Sequence, residues 1–564
     1  MIHDFCHNSS NSNNNHSYIL PRNKLLAPGN EAYKQWVKPT IPIYLKFYFF
    51  NCTNIQNFTK AEEIPVFQEL GPYVYREYRK KVNISDSGDD FLMYNQQKWW
   101  EYDTEMSNGS LKDLISTINV PVVAAVHKGR FDLGLKKLIL SEAIKRFGNK
   151  IHVTKTVGQF LFEGYQDDVI DFGRNMTKFT GIEIPFDKFG WYYNKNNSLG
   201  GTYIVNNGKA DINNVGYIES WKNMSKVPFF GKYCNYINGT GEFIFVLIYY
   251  FKNWYVVITT YIFTAADVFP PFMYDDQHLE IFAPDLCRCI TLAPLLGTKT
   301  EDLMDAAAIA KIHVVTNLSL TFDFEKNVEV KSVKARRFLP ERYLLDSGAM
   351  DPSNQCFCSG ECTRPGVLNM SSCQDGAPAF ISFPHFLHAD RFYTDQVIGM
   401  KPDKEKHQFV MDIQPDLGIP ANVNGRFQIN ILVERVPGFE LFDHFTRQTY
   451  FPMMWFDQKA GIDDEMAQKL VFVTEDLRSY IKAAAFSMIG IGLFLLALAV
   501  AIIVHRMVQK EKLTEQKKSE GKNYELANTK DPAPKEKEYE EAKDAKKNLK
   551  KKNKLINKTR KVLS

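Results

Sequence analysis

Four of the nine cysteines lie within eighteen residues of each other, at Cys356, Cys358, Cys362 and Cys373. Cysteines this close together bind a metal, form disulfides or carry out redox chemistry. Their spacing, Cys-x-Cys-x3-Cys-x10-Cys, does not match the paired Cys-x2–4-Cys pattern of zinc sites. The spacing therefore favours disulfides, and disulfides indicate an oxidising compartment.

Two cysteines further upstream, Cys234 and Cys287, bring this set to six. Six cysteines can form three bridges, but their spacing alone leaves 15 pairings open. Cys6, Cys52 and Cys289 are left over.

No catalytic constellation accompanies the cysteines. His385 and His388 lie close together in PHFLHAD, but the chain has neither a Gly-x-Ser-x-Gly nucleophile motif nor a His-Glu-x-x-His zinc motif. We interpret both histidines as structural or surface residues. The sequence therefore predicts a protein that is not an enzyme, without catalytic residues, metal or cofactor.

Asn-x-Ser/Thr sequons are dense, which predicts a glycosylated body that faces the lumen or the cell exterior. An Asn-rich chain also forms some sequons by chance. The predicted glycosylation sites are Asn51, Asn57, Asn83, Asn108, Asn175, Asn196, Asn223, Asn238 and Asn369.

The C-terminal region predicts a membrane anchor. Ala483–Val504 is a run of 22 residues in which Ser487 is the only polar side chain, enough to cross a hydrocarbon core of about 30 Å. Basic residues follow the run, so the tail is predicted to be cytosolic and the body to lie on the other side. The tail, residues 505–564, carries a net charge of +9 and the rest of the chain −5, which argues against a nucleic-acid-binding body.

The body mixes strand and helix patterns. Residues 1–26 are polar and irregular, and aromatic or alternating stretches predict strands in 26–94, 323–342 and 426–436. Residues 131–150 predict an amphipathic helix, either packed with a solvated basic face or forming a basic surface that attracts anionic ligands. Phe243–Phe263 is apolar, but Lys252 at its centre argues against a second membrane span.

Ten stretches, in order along the chain, resemble the class B scavenger receptors, which include fatty-acid translocase, the lysosomal integral membrane protein and the sensory-neuron membrane proteins. These stretches are AYKQWVKPTIPIYLKFYFFNCTN, VFQELGPYVYRE, GWYYNKN, YCNYINGT, VFPPF, APDLCR, RRFLPERYLLDSG, CFCSGEC, SCQDGAPAFISFPHFLHAD and FPMMWFDQ. The resemblance implies an α+β, membrane-anchored protein. Its large antiparallel β-barrel-like ectodomain (27–480) would carry an apical helical bundle and an internal lipid tunnel, ahead of a transmembrane helix (481–504).

The resemblance also implies site residues. The implied disulfides are Cys234–Cys356, Cys287–Cys373 and Cys358–Cys362. The helix at 131–150 matches the apical bundle where relatives receive ligands, so Lys145, Arg146 and Lys150 are the candidate ligand-binding residues.

The function that this resemblance implies is a plasma-membrane receptor. It would bind lipoproteins, fatty acids or sterol esters and pass lipid to the membrane through the tunnel. The alternatives are a sorting receptor for an enzyme in the lysosomal membrane and a sensory lipid co-receptor. Homo-oligomerisation is left open.

The chain departs from the family in three places. The first membrane span of the family has no counterpart before Ala27, which predicts an incomplete N-terminus. Residues 241–266 and about 289–318 have no family counterpart and are predicted insertions. We hypothesise that the first of them is a translated intron.

Overall fold

The structure is a computed structural model that describes most of the chain before residue 528. The described ranges are 26–29, 31–132, 134–148, 150–176, 184, 186–210, 215–228, 279–283, 288–293, 319–340, 344–350, 352–358, 361–373, 376–415 and 419–527. The chain divides into two units, Met1–Thr474 and Glu475–Ser564.

Sixteen strands lie in the described parts of the first unit. They are β1 (Ile43–Cys52), β2 (Phe67–Asp86), β3 (Phe91–Asp103), β4 (Leu114–Ile118), β5 (His152–Thr156), β6 (Leu199–Asn206), β7 (Ile218–Trp221), β8 (Leu279–Ala283), β9 (Arg288–Ala293), β10 (Ser319–Val330), β11 (Val333–Pro340), β12 (Val367–Asn369), β13 (Ala379–Ser382), β14 (Val410–Gln414), β15 (Ile419–Val433) and β16 (Thr449–Gly461).

The described α-helices are α1 (Glu31–Val37), α2 (Ile55–Thr59), α3 (Val120–Gly129), α4 (Leu135–Phe147), α5 (Asp168–Asn175), α6 (Arg391–Thr394), α7 (Lys404–His407), α8 (Asp464–Val471) and α9 (Leu477–Ala527). Short 3-10 or π-helical turns cover Gln159–Glu163, Pro352–Cys358, Ser371–Cys373, Pro384–Phe386 and Phe472–Asp476.

One large sheet dominates the first unit. Its order is β7-β6-β3-β2-β1-β16-β15-β14-β11-β10-β9-β8, with β13 paired to β15 and β12 to β13, while β4 and β5 form a separate pair. Among the described strands the path is open rather than closed into a barrel, and β9–β10 is a parallel pair in an otherwise antiparallel sheet. The prediction of a large antiparallel ectodomain is confirmed, whereas barrel closure is not observed in the described residues.

The central strand β1 shows why the aromatic sequence IYLKFYFFNC forms a strand at this place. Its buried side chains alternate as far as Phe49, as in a strand with one face on a core. A register shift in the pairing with β2 then lies between Phe47 and Phe49. Beyond it Phe50 packs into a different apolar cluster from Phe47, so the end of the strand contributes to two cores.

The second unit contains helix α9. It is the one helix among the described residues that is long and apolar enough to cross a membrane. The hydroxyl of Ser487, the single polar side chain of the run at 483–504, donates a hydrogen bond to the carbonyl of Ala483 at 2.8 Å. That bond satisfies the hydroxyl inside its own helix, as an apolar surrounding requires.

The two predicted insertions fall largely outside the described residues. Residues 241–266 lie there entirely. Of residues 289–318, only the part within β9 is described, and β9 pairs with β10 from Cys289↔Ser319 to Ala293↔Asp323.

Candidate functional site

The amphipathic helix that the sequence predicts lies in a cluster of three helices, α3, α4 and α5, which pack against one another. Helix α3 begins with Pro121 in its first turn, where proline costs no helix hydrogen bond. Its side chains are buried almost all round, including Val122, Val123 and Val126. An all-round apolar helix must be covered by neighbours, and α4 and α5 provide part of that cover.

Helix α4 joins the cluster through a narrow part of its surface. Only Ala143 and Ile144 are buried among its side chains. At its end, a Cβ added to Gly148 would lie 3.2 Å from methyl carbons of both Val122 in α3 and Val169 in α5. A side chain there would require Val122 or Val169 to shift slightly, so close packing favours glycine at this position.

The start of α5 is held by a capping aspartate. Asp167 accepts a hydrogen bond from the backbone N–H of Val169 at 3.0 Å and another from the side-chain amide of Asn119 at 2.9 Å. Asn119 directly precedes α3. One carboxylate therefore caps one helix and ties it to the beginning of another.

The outer side of α4 is apolar, which the sequence alone did not predict. Phe131, Leu135, Leu138 and Ile139 form what we call the apolar ridge, and their side chains are between 37% and 77% exposed. Leu135, Leu138 and Ile139 follow the i, i+3, i+4 spacing that places side chains on one helix face. The same spacing is typical of a buried helix face, so the sequence alone does not show that these side chains are exposed.

Basic side chains follow the ridge along the chain, but one of the three predicted ligand-binding residues is already paired. Lys145 Nζ lies 2.7 Å from Glu440, and this hydrogen bond raises the pKa of Lys145. Arg146 is exposed, and its guanidinium lies 5.5 Å from the ring centroid of Phe147. Lys150 is also exposed. The structure thus places all three predicted residues at the end of α4 or just beyond it.

A second contact connects the helix cluster to the cysteine-rich stretch. Arg130, which follows α3, forms an ion pair with Glu361. Glu361 lies inside the loop closed by the disulfide between Cys358 and Cys362, whose Cα atoms are 4.5 Å apart. This is the pairing that the family resemblance implies for these two cysteines.

The other two implied bridges involve Cys234 and Cys287, which lie outside the described residues. Cys356 is disulfide-bonded. The bridges Cys234–Cys356 and Cys287–Cys373 stay predictions. Cys52 is a buried free thiol, and burial raises its pKa to about 11, which keeps it protonated and unreactive.

The sequons differ in their access to solvent. The exposed ones are Asn83, Asn108, Asn175, Asn196 and Asn223. Asn51 and Asn57 are half-buried, and Asn238 lies outside the described residues. Asn369 is only 5% exposed, and its carbonyl oxygen accepts a hydrogen bond from the N–H of Ser371 at 2.9 Å. This burial argues against a glycan at Asn369, and glycosylation at each of the nine sites stays a prediction.

The two histidines of PHFLHAD lie in hydrogen-bonded surroundings. His385 Nε2 is 2.6 Å from a carboxylate oxygen of Glu69, and His388 Nε2 is 2.7 Å from the amide oxygen of Gln408. Both arrangements fit the structural role that the sequence predicted for them.

Comparison with known proteins gives a consistent family. The sequence model of the CD36 family matches residues 11–248 and 316–503. Lysosome membrane protein 2 of Homo sapiens is 31% identical over 80% of its length and 79% of this chain. Protein peste of Drosophila melanogaster is 28% identical over 71% of its length and 79% of this chain. Scavenger receptor class B member 1 of Cricetulus griseus is 26% identical over 84% of its length and 87% of this chain.

Proposed function

Because the chain belongs to the CD36 family, we propose that it is a membrane receptor that binds lipoproteins or free lipids. Fatty acids and sterol esters are the lipid classes in question. Binding would take place at the helix cluster of α3, α4 and α5, and lipid would then pass through the ectodomain to the membrane. The observation that carries the proposal is the apolar ridge of α4 with basic side chains beside it.

The composition of this surface fits a lipid-covered particle. Apolar side chains gain about 25 cal/mol for each Å² that leaves water, so a ridge with several large exposed side chains favours contact with an apolar layer. Arg146 and Lys150 would meet anionic head groups or fatty-acid carboxylates at the edge of that contact. Lys145 would contribute less charge than Arg146, since Glu440 already pairs with it.

Helix α9 supports the membrane location. The basic residues that follow the apolar run favour a cytosolic tail, which would put the ectodomain outside the cell or in a lumen. The dense sequons support the same orientation.

Lipid transfer would require no covalent step, so we propose that the protein acts without catalysis. The driving force would be the movement of apolar surface from water to apolar walls. The tunnel that would provide these walls is implied by the family resemblance alone.

A second candidate is a sorting receptor in the lysosomal membrane. Lysosome membrane protein 2 is 31% identical to this chain, whereas protein peste is 28% identical and scavenger receptor class B member 1 is 26% identical. In that case the ridge would hold a protein rather than a lipid particle. A sensory lipid co-receptor stays a hypothesis without a structural observation that favours it.

The proposal can be tested with the full-length protein in cells that take up little lipid by themselves. The triple variant Phe131→Ser, Leu135→Ser, Leu138→Ser removes three exposed side chains, so the fold should tolerate it. We expect binding of fluorescent lipoprotein at the cell surface to fall about tenfold, since this corresponds to about 1.4 kcal/mol of lost apolar contact. Uptake of a labelled sterol ester should fall with it.

The matched control is Leu114→Ser, which removes an equally exposed leucine (62%) from β4, outside the ridge. It should bind lipoprotein as the unmodified protein does. If the triple variant reaches the surface at a normal level and binds lipoprotein normally, the proposal is wrong. Retention of a lysosomal enzyme that is lost only in the triple variant would instead favour the sorting receptor.

A further inference from the structure

Two buried histidines from different segments stack against each other. The ring centroids of His385 and His407 are 4.3 Å apart with an interplanar angle of 26°, and the residues are 5% and 4% exposed. His385 lies in the turn Pro384–Phe386, and His407 ends α7. Residues 399–407, which lead up to His407, are called the strap below.

Both rings hold the strap in the same way. The backbone N–H of Lys401 donates to Nδ1 of His385 at 3.0 Å, and the backbone N–H of Asp403 donates to Nδ1 of His407 at 3.0 Å. Pro402 between them has no N–H to donate. A backbone N–H can only donate, so neither Nδ1 atom carries a proton.

The other ring nitrogens therefore carry the protons. Nε2 of His385 donates to Glu69, whose carboxylate also accepts from Nε1 of Trp455 at 2.7 Å. Glu69, His385 and His407 lie close enough together to suggest a metal site. A metal needs a free lone pair on each imidazole, however, and here both lone pairs are occupied by backbone N–H groups. The arrangement is suited to a proton rather than a metal ion.

Charged groups face the pair from several elements. Glu69 reaches it from β2, Arg426 from β15 and Asp403 from the strap itself. Burial, together with the neighbouring His385, lowers the pKa of His407 to about 4, and the two carboxylates oppose this only partly. Burial would raise the pKa of Glu69, but the hydrogen bonds from His385 and Trp455 hold it below its usual value.

We propose that His385 and His407 form a proton-operated clamp that holds the strap closed at neutral pH and releases it on acidification. A proton can enter either ring only at Nδ1, because Nε2 is already protonated. It thereby displaces the N–H of Lys401 or Asp403 and leaves two donors facing each other.

The direction of the pH dependence follows from where the proton binds. In the open state His407 is solvated and takes up a proton near its ordinary pKa of about 6.5. In the closed state it stays neutral down to about pH 4. The closed state is therefore fully favoured above about pH 6.5 and is progressively lost as the pH falls towards 4.

Opening of the strap would uncover apolar surface. Met400 packs against the largest apolar cluster of the body, next to residues such as Phe67. The backbone at Gly399 approaches the carbonyl of Phe67 so closely that a side chain there would collide with it. Acidification would thus expose part of this cluster and change what the ectodomain holds, whichever ligand the protein carries.

The test is hydrogen–deuterium exchange of the full-length protein in detergent at pH 7.4 and pH 5.0, with rates corrected for the intrinsic effect of pH. We expect protection of the strap amides to fall on the order of tenfold at pH 5.0 relative to peptides of β1. Equal relative protection at both pH values in the unmodified protein would overturn the proposal.

Asparagine variants separate the clamp from a general effect of acid. In His385→Asn and His407→Asn, the amide oxygen replaces Nδ1 as an acceptor but takes up no proton at pH 5.0. The double variant should therefore keep a protected strap at both pH values, and each single variant should show a reduced response. His444→Asn changes an exposed histidine outside the clamp and should respond like the unmodified protein.

A double variant that folds and still responds fully to acid would also overturn the proposal, since another group would then be the sensor. If the double variant loses protection in β1 and β16 as well, it has not folded. The unmodified protein and the single variants then decide the question.

Discussion

Lys145 shows how a residue that is distant in sequence can change the charge that a basic side chain offers to a ligand. The sequence presents it as part of a basic helix end, equivalent to Arg146. In the structure Glu440, almost 300 positions away along the chain, lies 2.7 Å from its ammonium group. Exposed ion pairs contribute little to stability, but this one lowers the net positive charge next to the ridge.

Burial likewise separates sequons that look alike in the sequence. We expect Asn108→Gln to increase electrophoretic mobility by the mass of one glycan, because Asn108 is exposed and follows strand β3 in an accessible turn. Asn369→Gln should leave the mobility unchanged, since Asn369 is buried. The measurement is gel mobility of the protein from secretory-pathway expression, before and after removal of N-glycans.

The deglycosylated proteins serve as the control, since all variants should then migrate together. A mobility shift for Asn369→Gln would mean that the buried site is modified before the ectodomain closes. No shift on deglycosylation of the unmodified protein would contradict the lumenal orientation.

At the scale of elements, the sequence predicts that α4 is a helix, but it does not predict which face of the helix is buried. The periodicity of 131–150 predicts a helix, and α4 is found at Leu135–Phe147. The pattern does not reveal that Leu140, Ala143 and Ile144 pack inwards while Leu135 and Leu138 are exposed. Periodicity describes which side chains share a face, whereas the packing of α3 and α5 decides which face is covered.

The helix cluster should depend on the cap of α5. We expect Asp167→Ala to destabilise the ectodomain by about 1–2 kcal/mol, because it removes the cap and leaves the amide of Asn119 without its acceptor. The control is Asp168→Ala, which removes an exposed carboxylate from the first turn of the same helix and should cost only a few tenths of a kcal/mol.

Both variants can be compared by thermal unfolding of the full-length protein in detergent. Equal midpoints for the two would show that the hydrogen bonds of Asp167 contribute no more than the charge of Asp168.

At the scale of the molecule, the central pairing of β1 with β16 joins the beginning and the end of the ectodomain. Ile43 pairs with Ala460 and Phe49 with Met454. Such distant pairing requires that the intervening chain fold back as one unit. An insertion on the way is tolerated if its ends stay close in space, because loop closure costs little more for a longer loop.

The match to the CD36 family is interrupted between residues 248 and 316. This interval contains most of both predicted insertions. It also contains the stretches VFPPF and APDLCR, which the sequence analysis assigned to the family. The matched range also extends through residue 248, inside the first predicted insertion. That 241–266 and about 289–318 are insertions therefore stays a prediction.

We expect full-length transcript sequencing to show that most messages join the codons on either side of 241–266 directly. The reason is the hypothesis that 241–266 has no counterpart in the family, whereas the flanking stretches YCNYINGT and VFPPF resemble it. Reads across the junction of 289–318 provide an internal comparison in the same molecules. If the great majority of messages retain 241–266, the translated-intron hypothesis is wrong.

The sequence by itself determined the parts that depend on composition and local pattern. The run of 22 residues at 483–504, apolar apart from Ser487, predicts a membrane-spanning helix, and the structure contains a helix that is long and apolar enough for that role. Alternation in β2 predicted a strand, and ten ordered motifs predicted the family. The pairing of Cys358 with Cys362 was implied by the family resemblance, and the structure contains this bridge.

Only the tertiary structure decided which chemically similar residues differ in role. His385 and His407 stack although 22 positions separate them. Their Nδ1 atoms accept hydrogen bonds from backbone N–H groups, which no sequence motif predicts. Asn369 is buried while Asn108 is exposed, and Lys145 is paired while Arg146 faces solvent. These differences arise from contacts between distant segments, and the side-chain pattern of one segment contains no information about the other.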